Sequence, residues 1–231
     1  MAGHFLNRSI RLSLLTAGAT FHAAQKVSGR GCQKLTAHGA SLPPFTAGSH
    51  NDMRLPSNLL RQYSISSSPA DTSRYVIAVK PEPQSRGGSS ALHDQIEAGS
   101  ALTIGLPRNN FELDGTAQYT MLAGAGIVIT PILSMALFLQ QAGRSFEIEY
   151  FCRSLEHVPF LDIFGGNGSS FRAKLHFGLD ASATRNRLAA RYLRWPAGSH
   201  LYMCGPASFM EAVAAVTFGS WPVESVHSEH F

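Results

Sequence analysis

A chain of 231 residues, 44% hydrophobic and 15% charged, is long enough to bury a sizeable core as one large domain or two small ones. Its net charge of +4 and pI near 9.1 come from dispersed Lys and Arg, with no basic helix carrying interleaved aromatics. This argues against a nucleic-acid partner and fits an acidic redox partner or cofactor phosphates. The three cysteines, Cys32, Cys152 and Cys204, are far apart and odd in number. They signal neither a disulfide framework nor a metal cluster and point to a reducing, cytoplasmic setting.

The first 51 residues contain no Asp or Glu, and Arg8 and Arg11 precede the apolar Leu12, Leu14 and Leu15. That resembles a weak signal or transit segment, but the apolar stretch is short and Ser13 breaks it. Residues 1–20 are therefore expected to be an extension ahead of the first strand. From Phe21 to about Asn110 short strands are separated by Gly, Pro, Ser and Asn clusters, with β-type alternation over Arg74–Val79. This half predicts a small antiparallel barrel. Asp114-Gly115-Thr116 marks a turn, and a boundary is expected there, with one domain over 21–113 and a second over 114–231.

After Ala117 the pattern alternates between strand and helix. Strands are predicted at Tyr119–Leu122, Phe146–Phe151, Lys174–Phe177 and His200–Met203, and a helix over Pro131–Gln141. Such alternation implies a parallel sheet with right-handed crossovers. The long apolar run from Tyr119 to Leu139 is divided by Gly124, Gly126 and Pro131, so no membrane span is needed. Gly165–Ser170 is compositionally loose, and no internal repeat is visible.

Three segments carry candidate chemistry. In Leu122-Ala123-Gly124-Ala125-Gly126-Ile127-Val128-Ile129-Thr130-Pro131, a glycine turn follows a strand and opens a helix. Free amides at a helix start favour a phosphate, and Pro131 suits the first turn because its missing donor costs nothing there. Tight strand-helix packing without a ligand explains the glycines equally well. In Leu201-Tyr202-Met203-Cys204-Gly205-Pro206, a thiol sits at the carboxyl end of a strand, where ligands bind in open α/β sheets. A lone buried cysteine is by itself more often packing. In the first half, Arg61-Gln62-Tyr63-Ser64 precedes Arg86-Gly87-Gly88-Ser89. Arg61 suits a phosphate, Tyr63 a ring, Ser64 a heteroatom, and the glycine backbone a phosphate, although taken alone the segment fits better a strand ending in a surface turn with a solvated arginine.

In this order, and with Leu42-Pro43-Pro44-Phe45, Pro107-Arg108-Asn109-Asn110-Phe111 and the final Phe231, these segments closely resemble the ferredoxin-NADP reductase superfamily. The branch resembled is that of the phthalate dioxygenase and vanillate demethylase reductases, over about Phe21 to Phe231. The resemblance implies an antiparallel six-stranded flavin-binding β-barrel followed by a parallel-sheet α/β domain that binds nicotinamide. It implies a flavin-binding set of Arg61, Gln62, Tyr63, Ser64, Ala78 and Val79, with Gly87, Gly88 and Ser89 as phosphate loop. On the nicotinamide side it implies Gly124, Gly126, Thr130, Pro131, Cys204, Gly205 and Pro206, with Phe231 over the flavin face. Of these, Ser64, Thr130, Cys204 and Phe231 are the residues implied beside the reacting atoms.

Two departures stand out. Ala125 and Val128 replace glycines usual in related turns, which weakens nicotinamide binding if Val128 must take a positive φ. The plant-type cluster motif Cys-x4-Cys-x2-Cys that usually follows is absent, so no iron-sulfur cluster is expected in this chain. The chain is expected to be a flavin-nicotinamide core, either cut short or naturally short, serving a separate ferredoxin or terminal oxygenase. FMN is preferred to FAD, and either NADH or NADPH is the co-substrate; Arg153 and Ser154 follow the second α/β strand, where a 2′-phosphate would sit, and fit a solvated strand end equally well. Alternatives are a reductase that releases free reduced flavin and a flavin-binding subunit without hydride transfer.

Overall fold

The computed structural model describes residues 20–27, 32–38, 42–55, 58–82, 84, 87–96, 100, 103–164 and 173–230. The extension up to residue 19, Arg86, Gly165–Ser170 and Phe231 lie outside these. The first half contains β1 (Thr20–Val27), β2 (Cys32–His38), β3 (His50–Arg54), β4 (Leu60–Ser64), β5 (Arg74–Val79), α1 (Gly88–Gln95) and β6 (Thr103–Ile104). All its strand pairings are antiparallel.

Of the expected six-stranded barrel, the described residues show the antiparallel strands and not its closure. Six strands are present, but in two three-stranded sheets, ordered β1-β2-β5 and β4-β3-β6. The serines that follow β4 link the two sheets. Ser66 Oγ donates to the Val76 carbonyl (2.8 Å), and the Val76 amide donates to Ser67 Oγ (3.2 Å). Together with the backbone bond from the Ser66 amide to the Val76 carbonyl (2.7 Å), they tie the end of β4 to β5. Met53, Leu55, Ile65, Tyr75, Ile77, Val79, Leu92 and Ile104 form the core of this half, closed on one side by α1.

The second half is a parallel sheet in the order β11-β10-β7-β8-β9, comprising β7 (Tyr119–Ala125), β8 (Phe146–Cys152), β9 (Ala173–Phe177), β10 (Ser199–Cys204) and β11 (Val226–Glu229). Its helices are α2 (Thr130–Gln141), the single turn α3 (Leu161–Phe164), α4 (Ala181–Tyr192) and α5 (Ala207–Thr217). Both faces of β7 are buried: Leu122 joins the core under α2, while Met121, Ala123 and Ala125 join the core under α4 and α5. A strand covered on both sides reads as a continuous apolar run, and this is why the sequence at Tyr119–Ala125 lacks alternation. Asp180 caps α4 by accepting from the Ala183 amide at 2.7 Å. Among the described residues no helix is long and apolar enough to cross a membrane.

The two halves share a core. Ala47, Ala78 and Phe111 belong to the same buried cluster as Leu122, Ile132, Met135 and Tyr202. Ser134 Oγ on α2 donates to the Ser67 carbonyl at 3.0 Å, adding a polar tie. Gly48 sits in this seam with φ +93°, and a Cβ there would collide with the Phe111 carbonyl oxygen. The left-handed backbone alone costs an L-residue about 1–3 kcal/mol, and the carbonyl has little room to retreat. Gly48→Ala should therefore lower the unfolding free energy by at least that much, seen as a lower urea midpoint; an unchanged midpoint would refute the packing described for this turn.

Candidate functional site

All five parallel strands end on one edge of the sheet, and the first half lies against that edge. From β4 to β7, four neighbouring contacts run across the seam. Ser64 faces His50 in the β3–β4 ladder, which puts both side chains on one face. His50 Nδ1 lies 3.9 Å from the Glu229 carboxylate at the end of β11. Glu229 pairs with Cys204 in register, and the Cys204 thiol donates to the Glu229 carbonyl at 3.5 Å. Cys204 in turn sits beside Gly124 on β7.

Several of these groups are buried and unsatisfied. Ser64 Oγ, both ring nitrogens of His50 and Glu229 Oε2 have no hydrogen-bond partner. A buried polar group left unpaired costs about 1–3 kcal/mol, so such a cluster is the mark of a ligand's place rather than of a finished core. Burial pushes the Glu229 carboxyl up to about 7. His50 is driven below its ordinary value by burial, and the Arg108 guanidinium adds to the effect. Burial, with the Glu229 charge second, also holds the Cys204 thiol far above its usual range. Cys204 is thus a neutral thiol and not a nucleophile.

Arg61 and the start of α1 form a second group. Arg61 and Tyr63, two apart on β4, alternate onto the same face, whereas Ser64 turns to the side of His50. The Arg61 side chain lies over Gly88, where an added Cβ would come within 2.8 Å of Nε. Gly87, at φ +82°, caps α1, so the segment expected to be a phosphate loop is the first turn of a helix. No side chain caps that turn, and no acidic residue occupies it. A guanidinium beside a helix start with no acidic residue in its first turn is a fitting cradle for a terminal phosphate. Ser89 is turned inward, its hydroxyl accepting from the Glu82 amide at 3.1 Å. Ala78 is buried in the seam and Val79 in the core of the first half, while Gln62 is exposed.

On the nicotinamide side the glycines divide by role. A Cβ on Gly124 would overlap Ile129, and one on Gly205 would overlap Phe209, so both serve packing. Gly126, by contrast, has φ +65° and open space around it, ahead of Thr130 and Pro131 at the start of α2. Val128 lies in the right-handed 3-10 turn Gly126–Ile129 and packs against the core. Among the described residues the one non-glycine with positive φ is Asn58. Val128 therefore does not take the positive φ that would make its side chain unfavourable. Pro206 is exposed before α5. Arg153 and Ser154 follow β8, with the Ser154 hydroxyl engaged by Glu156 (3.1 Å) and His157 (2.8 Å).

The sequence patterns pointed to neither His50 nor Glu229. His50 is a strand residue two positions before Asp52, and Glu229 closes a four-residue strand; only the pairing across the seam reveals them.

No protein-family model matches the chain. Vanillate O-demethylase oxidoreductase of Acinetobacter baylyi is 40% identical over 204 residues, covering 87% of this chain and 63% of that protein. The phthalate 4,5-dioxygenase oxygenase reductase subunit of Pseudomonas putida is 39% identical over 202 residues, covering 84% and 60% respectively. The solved phthalate dioxygenase reductase, a modular structure for electron transfer from pyridine nucleotides to 2Fe-2S, superposes with a TM-score of 0.86 at 33% identity, over 91% of this chain and 66% of that one. The chain belongs to this branch of the ferredoxin-NADP reductase superfamily. The fold alone extends to a ferredoxin-NADP+ reductase of Plasmodium falciparum, at a TM-score of 0.74 and 16% identity. The chain spans less than two thirds of the length of these two curated relatives.

For this member of the reductase family the two described free thiols are predicted to be inert. Cys204 is buried, and burial pushes Cys152 up to about 11. At about pH 8, where an ordinary thiol is partly ionised, maleimide should label neither site quickly in the folded protein. Peptide mapping reads this directly, and rapid modification of Cys204 would sink the neutral-thiol assignment.

Proposed function

We propose that the chain is the flavin- and nicotinamide-binding core of an oxygenase reductase, taking hydride from NADH and passing electrons to a separate iron-sulfur or oxygenase partner. The observation that carries this is the row of unpaired buried groups, Ser64, His50 and Glu229, where the first half meets the open edge of the parallel sheet. Flavin contributes hydride acceptance at its ring and release of the electrons one at a time.

The protein's own contribution is placement. Arg61 and the first amides of α1 suit the phosphate of FMN better than the longer FAD. Tyr63, partly buried on the Arg61 face, offers a ring for stacking, and Ser64 offers a hydroxyl to a ring heteroatom. The open backbone at Gly126, where the chain enters the turn that leads into α2, suits the dinucleotide's phosphates, with Thr130 and Cys204 flanking the nicotinamide. Cys204 brings no charge to that spot because its thiol stays protonated. Glu156 at the Ser154 hydroxyl sets a carboxylate where a 2′-phosphate would lie, which favours NADH over NADPH. In the proposed assembly residues 21–113 carry the flavin and 114–231 the nicotinamide.

The test is anaerobic addition of NADH to protein loaded with FMN. Flavin absorbance should bleach, and should do so at lower concentrations of NADH than of NADPH; protein that keeps its flavin coloured overturns the proposal. Arg61→Ala removes a charged partner worth about 1.5–3 kcal/mol, so FMN should bind roughly tenfold to a hundredfold more weakly by fluorescence titration.

A further inference from the structure

His50 and Glu229 approach each other from opposite halves, and each side chain is nearly buried, at 5% and 13% exposure. Their nearest atoms are 3.9 Å apart, too far for a hydrogen bond and too close for a water between them. A small rotation of either side chain joins them. The other charged groups around His50, Arg108 and Asp52, oppose one another, with Arg108 the stronger. Arg108 Nη2 donates to Asp52 Oδ2 at 2.6 Å; Asp52 is two residues from His50 on β3, and the Arg108 backbone bridges to His50. On the other side, Glu229 faces the neutral thiol of Cys204. Neither an isolated imidazolium nor an isolated carboxylate is favoured in this setting, whereas a protonated carboxyl and a neutral imidazole are complementary donor and acceptor.

We propose that His50 and Glu229 hold one proton in common across the seam, making His50 a positioning residue for the carboxyl at the cofactor edge. The positioning role rests on the flavin site proposed above; the shared proton does not.

The pH dependence follows from the directions of the two shifts. The Glu229 carboxyl, raised from 4.5 to about 7, keeps a proton that the unfolded chain has already released, so its contribution is complete below about 4.5 and lost as pH rises through about 7. His50, lowered from 6.5, resists a proton the unfolded chain accepts, so its contribution is complete above 6.5 and lost on acidification. The pair fits best in the mildly acidic to neutral range and loosens when the shared proton leaves.

The decisive measurement uses flavin-free, full-length protein. Isotope-edited NMR follows the His50 ring and the Glu229 carboxyl as pH is raised from acidic to alkaline. Both should move at one midpoint near neutrality, and Glu229→Gln should abolish that step in the His50 ring. Independent midpoints, or a His50 profile unchanged in Glu229→Gln, overturn the proposal. Thermal unfolding of His50→Gln, Glu229→Gln and the double variant gives a second readout: the double variant should lose no more than the worse single one, and additive losses count against a shared proton. FMN titration completes the set. Wild type should lose affinity several-fold as pH rises through neutrality, and His50→Gln should show a flat profile; equal profiles refute the positioning role. If wild type binds no FMN at any pH, the flavin proposal fails while the NMR result still decides the shared proton.

Discussion

Everything at the candidate site depends on how closely the two halves approach, and three side chains set that distance. Ala47 and Ala78 are small enough for the antiparallel sheets to come down onto the core beneath α2, and Phe111 fills the space left between them. The Phe111 ring meets Tyr202 edge to face at 5.6 Å, and the Tyr202 hydroxyl accepts from the Asp114 amide at 2.6 Å. Burying a ring of this size is worth about 1.5–3 kcal/mol, enough to hold the seam but sensitive to a bulkier neighbour. Widening the gap by an ångström would part His50 from Glu229 and Ser64 from the strand ends. Positioning errors of that order are costly in hydride transfer, where the reacting atoms must meet closely.

The parallel sheet supplies the other side of the same seam. With every strand running one way, the carboxyl ends of β7, β8, β10 and β11 present their last residues together, and the helices that follow β7 and β10, α2 and α5, start from that edge. The glycines at this edge are not equivalent. Gly124 and Gly205 let Ile129 and Phe209 pack against the strands, and Gly126 alone of the three needs the left-handed conformation that turns the chain into α2. A motif that looks uniform in the sequence thus divides into packing and turn, and Val128 fits because its backbone is right-handed.

The parallel half was legible because its grammar is local. Predicted strands at Phe146–Phe151 and His200–Met203 correspond to β8 and β10 within a residue at each end, and the helix from Pro131 corresponds to α2, since Pro131 and the glycines punctuate the chain where the elements change. The first half was legible only as antiparallel strands. How the two sheets meet depends on the bonds from Ser66 and Ser67 to Val76, and no period or propensity distinguishes a serine that ties two sheets from one on a surface turn. α1 was hidden for the same kind of reason: Gly87-Gly88-Ser89 reads as loop, and its helix is decided by packing of Leu92 into the core. His50 and Glu229 are 179 residues apart in sequence, and neither sits in a recognisable motif; their meaning comes from being left unsatisfied together.

Charge is distributed unevenly across the proposed cofactor site, and the unevenness has a physical sense. The positive end is at Arg61 and the first turn of α1, where a phosphate needs neutralising. The edge formed by Ser64, His50, Cys204 and Glu229 is polar but nearly without fixed charge: the thiol is protonated, the imidazole is disfavoured as a cation, and the carboxyl titrates only near neutrality. In a buried setting a full charge beside a redox ring would shift its electron affinity strongly, because the low dielectric leaves it unscreened. Groups that can each donate or accept a hydrogen bond while staying neutral orient a ring without fixing its potential at one extreme. That arrangement is suited to a carrier that must both accept electrons readily and give them up again.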